Sequence, residues 1–81
     1  MTIRVKFFAM LREKVGQEEI LLQLPDNATT ETFWQVMVKK YPQLVAYRKQ
    51  SRLAVNRTYI LQEQHLNEGD EVTIIPPVSG G

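Results

Sequence analysis

Residues 30 to 41 form the one stretch of this chain with sustained helical periodicity; the other patterned segments alternate at the period of a strand. Thr29 is a natural N-cap, Glu31 meets the positive end of the helix dipole, and Lys39 and Lys40 meet its negative end. Phe33, Val36, Met37 and Tyr41 recur at helical spacing, which predicts their burial against a sheet, with Trp34 and Val38 flanking them. Pro42 stops the helix. A single amphipathic helix needs a second layer to cover its apolar stripe, and that layer must come from the strands.

Ile3 to Phe8 alternates apolar and polar residues and reads as a half-buried strand. Ala9 to Gly16 reads as one or two helical turns closed by the glycine. Glu18 to Leu24 is a second strand, with Ile20, Leu22 and Leu24 facing inward, broken by Pro25. After the long helix, Leu44, Val45 and Tyr47 suggest a short helical turn within 43–51. Arg52 to Asn56 and Thr58 to Ile60 are strands joined at an asparagine suited to a turn. Gln62 to His65 is predicted to hold one turn of 3₁₀-helix, and Leu66 to Asp70 a turn with Gly69 at positive φ. Glu71 to Ile75 is the last strand.

This order predicts an α+β fold of the β-grasp kind, a mixed sheet with one main helix packed on one face. A right-handed crossover would set the last strand beside the first. The other face of the sheet is then left partly exposed, or is covered by a partner. Residues 1–75 are predicted to form the domain and residues 76–81 an extended arm.

With 81 residues the chain is one modest domain, too small for a large private substrate pocket. Its net charge of +1 gives no single-sign field to draw it to nucleic acid or an anionic membrane. There is no apolar run of membrane-spanning length, so neither class of partner is predicted. Cysteine is absent, which excludes disulfides and thiolate chemistry and suits a cytoplasmic location.

The usual catalytic sets are missing. His65, the only histidine, sits in a polar connector without a serine or carboxylate pair at a useful spacing, and reads as a surface residue. Glu18-Glu19 and Asp70-Glu71 read as solvated strand-edge charges, and Lys39-Lys40 and Arg48-Lys49 as helix-end and loop charges. Phe7, Phe8, Phe33 and Trp34 read as core or interface residues. No bound metal or cofactor is expected.

What remains is the stretch Pro76-Pro77-Val78-Ser79-Gly80-Gly81. The two prolines fix φ and remove two backbone donors, so the strand cannot continue through them. Six extended residues reach at most roughly 20 Å, enough to thread a narrow channel in another protein. A Gly-Gly end arises by chance at roughly the half-percent level, given glycine near 7% of average usage. The alternative is a loose terminus without a role, but a strong strand feeding a stiff arm argues for an anchored stalk. An α-carboxyl is ionised at neutral pH. It can attack the α-phosphorus of ATP when a partner enzyme supplies electrostatic stabilisation, giving an anhydride open to a thiol or persulfide. Glycine leaves that attack unobstructed. Gly81 could thus carry sulfur as a thiocarboxylate.

Phe7-Phe8-Ala9 with Leu11-Arg12-Glu13, Ala54-Val55-Asn56, and Leu66 to Val72 running into Pro76-Pro77-Val78-Ser79-Gly80-Gly81 resemble the small-subunit family of molybdopterin synthase. The resemblance spans the domain and is most specific at the arm. It implies that an adenylyltransferase similar to ubiquitin-activating enzymes uses ATP to adenylate Gly81, which then becomes a thiocarboxylate. The large synthase subunit would take the arm and pass its sulfur to a cyclic pyranopterin precursor, within a complex of two small and two large subunits. On this reading Gly80 gives clearance, and Pro76, Pro77, Val78 and Ser79 line the docking channel. Phe8 and Ile75 would belong to the partner surface, and Arg12 would pair with an acidic residue of the activating enzyme. A thiamine-pathway sulfur carrier, a ubiquitin-like protein modifier and a plain interaction domain are the alternatives.

Overall fold

Ile3, Val5 and Phe7 point into the core while Thr2, Arg4 and Lys6 point away, the alternation that makes Thr2–Phe7 strand β1. In a computed structural model, described over residues 1–77, seven further elements follow. They are helix α1 (Met10–Val15), strand β2 (Glu19–Gln23), helix α2 (Thr30–Lys40), a 3₁₀-helix (Pro42–Tyr47), and strands β3 (Arg52–Val55), β4 (Thr58–Ile60) and β5 (Glu71–Ile75).

The five strands form one sheet in the order β2-β1-β5-β3-β4. β1 and β5 are parallel, with Arg4 opposite Glu71 and Phe7 opposite Ile74, and the other pairs are antiparallel. The last strand therefore lies beside the first, in the centre of a mixed sheet, with α2 on one face. This is the predicted ubiquitin-like β-grasp arrangement.

Local chemistry accounts for most element ends. Thr29 caps α2, and Thr32 returns the favour: the Thr32 N–H donates to Thr29 Oγ1 and the Thr29 N–H to Thr32 Oγ1. Gly16 closes α1 at φ 82° and Gly69 turns the chain before β5 at φ 80°. Leu44 of the 3₁₀-helix is fully buried, so the turn predicted within 43–51 is a packed element.

Two expectations about packing are corrected. The buried stripe of α2 is Thr30, Phe33, Trp34 and Met37, while Val36 and Tyr41 are only partly buried. Val36 lies roughly 100° around the helix from the middle of that stripe, and Tyr41 has left helical geometry as the C-cap at φ −129°. Residues 62–65 hold no 3₁₀ turn. Their backbone is used instead in pairing with the segment before α2: Thr30 N–H donates to the Gln64 carbonyl at 3.0 Å, and Thr29 bridges His65.

Candidate functional site

The face of the sheet opposite α2 carries the predicted partner residues. On β5 the side chains alternate, so Val72 and Ile74 enter the core and Glu71, Thr73 and Ile75 look outward. On the neighbouring strands Arg4, Lys6, Ala54 and Tyr59 share that outward side. Lys6, Ala54, Tyr59, Glu71 and Thr73 floor an open groove of about 740 Å³, which Phe8, Arg12 and Ile75 also line.

Phe8 owes its position to an unusual backbone. Its carbonyl accepts from the Leu11 N–H at 3.2 Å, and Ala9, the next residue, sits at φ 54°, ψ −129°. That conformation favours glycine. The turn lifts the aromatic ring off the end of β1, leaving Phe8 56% exposed while Phe7 is buried. Tyr59, on β4, is 60% exposed on the same face. Arg12 is paired with Glu18 at 3.4 Å, and both are well exposed.

The charges of this face converge on one carboxylate. Glu71, only 6% exposed, lies 3.5 Å from Arg4 Nη2, 3.5 Å from Lys6 Nζ and 3.9 Å from Arg57 Nε. Its neighbour Asp70, 9% exposed, accepts from Asn56 Nδ2 at 2.9 Å and from the Asn67 N–H at 2.8 Å. Asn56 Oδ1 in turn accepts from the Glu71 N–H at 3.0 Å. The pair Asp70-Glu71, read from sequence as solvated edge charge, is instead buried. The reason is non-local: the parallel register sets Glu71 beside Arg4, and the β3–β4 turn brings Asn56 onto Asp70.

The arm begins against the domain. Pro76 is buried and Pro77 half-buried, so the two prolines continue the end of β5 as part of its surface. Val78, Ser79, Gly80 and Gly81 lie outside the described residues. His65 is exposed, as its sequence setting suggested, and the described residues hold no cluster of metal-ligating side chains. No helix among them is long and apolar enough to cross a membrane.

Among the described residues the groove is lined by apolar, cationic and carboxylate side chains, Phe8, Ile75, Lys6, Arg57 and Glu71 among them. It is an open surface next to the end of β5. With that geometry in view, the likeness to known proteins is specific. A family model described as the ThiS family matches residues 5–81.

The chain belongs to the ThiS family.

Relatives of this ThiS-family chain include the molybdopterin synthase sulfur carrier subunit of Dictyostelium discoideum, 38% identical over 96% of this chain and 94% of the relative. The Escherichia coli protein of the same name is 36% identical over 98% and 99%. Among solved structures, a putative molybdopterin converting factor subunit 1 from Pyrococcus furiosus superposes with a TM-score of 0.86 at 26% identity, covering 96% of this chain and 99% of that one. The small archaeal modifier protein 1 of Methanosarcina acetivorans gives 0.80 at 30% identity, over 99% and 96%. A complex of subunits 1 and 2 of the molybdopterin-converting factor from Helicobacter pylori shares the fold, at 0.72 and 21% identity over the full length of both chains.

Sequence reasoning located Phe8, Ile75 and Arg12, and the ThiS-family fold brings all three to one groove. It missed Glu71, Arg57, Lys6 and Arg4 as a group. The signal available was the period-two alternation, which sets Arg4 and Lys6 on the outward side of β1.

Proposed function

We propose that this chain is the sulfur carrier subunit of molybdopterin synthase. Its reacting group is the Gly81 carboxylate, and its open sheet face is what partners hold. The observation that carries this reading is the 38% identity to a protein of that name across nearly the whole of both chains. The family match running through the Gly-Gly end supports it.

On this reading an ATP-dependent adenylyltransferase binds the domain and places Gly81 against ATP. The carboxylate attacks the α-phosphorus, pyrophosphate leaves, and the acyl-adenylate forms. Donor sulfur then attacks the acyl carbon and AMP leaves; where the donor is a persulfide, a second thiol breaks the S–S bond and ends in a disulfide, leaving a thiocarboxylate in which sulfur has replaced one oxygen. The arm enters the large subunit, its sulfur bonds to a carbon of a cyclic pyranopterin precursor, and water cleaves the acyl–sulfur bond, so that the arm returns as a carboxylate. Two small and two large subunits make up the working complex. The chain itself contributes no acid, base or metal; it contributes a positioned end. Gly80 leaves the approach to Gly81 clear, Pro76 and Pro77 set the direction of the arm, and Val78 and Ser79 fill the channel around it. Phe8 and Ile75 lie where an apolar contact would seat the domain, and Arg12 offers an exposed guanidinium to an acidic group.

A second reading has one observation in its favour, the 30% identity to a small archaeal modifier protein. A modifier would attach Gly81 to lysine amines of other proteins. One experiment separates the two: the chain is incubated with an activating enzyme, ATP and a sulfur donor, then with the large subunit and precursor, and followed by intact-mass spectrometry. The carrier reading expects a mass gain equal to sulfur for oxygen, discharged on adding the large subunit and precursor. Deletion of Gly81 should abolish both steps and leave the fold unchanged. Isopeptide-linked products in place of that gain would favour the modifier.

A further inference from the structure

Arg57 is held in a conformation that its residue type disfavours. It occupies the second central position of the two-residue turn between β3 and β4, at φ 71° after Asn56 at φ 51°. Both residues of such a turn need positive φ, and the second position favours glycine. A non-glycine residue there is strained by the contact of its Cβ with the backbone. What the protein gains internally is small. The Arg57 side chain is 84% exposed, and its nitrogen stands 3.9 Å from Glu71, so this ion pair contributes little to stability. Glu71 already has Arg4 and Lys6 at 3.5 Å. Three cations surround one carboxylate beside the groove that holds Phe8 and Ile75, with Arg57 the most exposed of them, while Glu18 and Glu19 line the same groove.

We propose that Arg57, with Lys6 and Arg4 around Glu71, is the receptor for an acidic side chain of the protein that accepts the arm, and so helps decide which partner the domain fits. This rests on the carrier reading above and adds the chemistry of the contact. The argument for a carboxylate is charge complementarity with a built-in limit. Glu71 sits in the middle of the cluster and repels a densely charged polyanion, while an Asp or Glu side chain brings one charge and two oxygens that match a guanidinium fork. Arg57 is then a specificity determinant, remote from the reacting atoms, at the end of β5 away from the arm.

The test uses the full chain, purified large subunit and three forms of residue 57: wild type, Arg57→Lys and Arg57→Gly. Glycine removes the guanidinium and relieves the backbone, so its melting temperature should equal or exceed that of wild type. Its affinity for the large subunit should nevertheless fall by about five- to tenfold at low ionic strength, mostly in the association rate, with a shallower salt dependence. Lysine keeps the charge without the fork, so it should keep the wild-type salt slope at an affinity between those of wild type and Arg57→Gly; a lysine variant no better than glycine would overturn the electrostatic part of the proposal. Unchanged affinity and salt slope in Arg57→Gly would overturn the proposal, as would an affinity loss matched by a fall in melting temperature. If the wild-type chain itself fails to bind the large subunit, the carrier reading is what fails, and this inference goes with it.

Discussion

Asn56 donates from Nδ2 to Asp70 Oδ1 at 2.9 Å, and this bond ties the β3–β4 turn to the loop that feeds β5. It belongs to a closed set, because Asn56 Oδ1 takes the Glu71 N–H and Asp70 Oδ2 takes the Asn67 N–H. Removing one member leaves buried polar groups unpaired. We expect Asp70→Ala to lower stability by about 2–3 kcal/mol. Urea unfolding would register this as a lower midpoint at an unchanged slope.

Glu71 is a buried carboxylate whose partners are each 40% or more exposed. Its pairs should be worth more than surface ion pairs and less than a fully buried one. Glu71→Gln is expected to cost about 1–2 kcal/mol at low ionic strength. Comparing the two proteins in low and high salt should show the difference shrinking as the cations are screened.

The stripe of α2 makes a graded prediction. Phe33 and Met37 are fully buried, whereas Val36 is only partly so. Phe33→Ala should cost about 3–5 kcal/mol, a large part of the stability of a domain this size. Val36→Ala should cost no more than about 1 kcal/mol. Equal losses at the two positions would show that the stripe is centred elsewhere.

Ala9 and Gly69 give opposite expectations from the same backbone argument. Gly69 is at φ 80° with nothing near a would-be Cβ, so Gly69→Ala should cost about 1–2 kcal/mol from conformation alone. Ala9, at φ 54° and ψ −129°, already carries that kind of strain. Ala9→Gly should therefore stabilise the domain by about 1 kcal/mol, after allowing for the greater freedom of glycine in the unfolded chain. Thermal unfolding of both variants checks the signs.

Phe8 should separate stability from binding. More than half of its surface is exposed, so Phe8→Asp is expected to shift stability by no more than about 0.5 kcal/mol. Its affinity for the large subunit should drop at least about tenfold, the scale of a central aromatic contact. Calorimetric titration beside a melting curve gives both numbers.

The elements of this protein are legible from its residues because their causes are local. Thr29 and Pro42 bracket the long helix, period-two alternation marks β1 and β5, and Gly16, Asn56 and Gly69 mark turns through their own φ preferences. The alternation on β1 even assigns Arg4 and Lys6 to the open face. The Gly-Gly arm is likewise a matter of sequence alone, and it carries the chemistry proposed here. Tertiary structure decided the rest: that Asp70 and Glu71 are buried, that Trp34 and not Val36 belongs to the buried stripe, and that Phe8 stands off the sheet beside the groove that Ile75 lines. Each depends on what lies across a strand pair or against the helix. The partners Arg4 and Glu71 meet only through the parallel crossover, and no short window of sequence contains both. Burial of a charge follows from such meetings, since a carboxylate leaves water only where distant cations arrive to receive it.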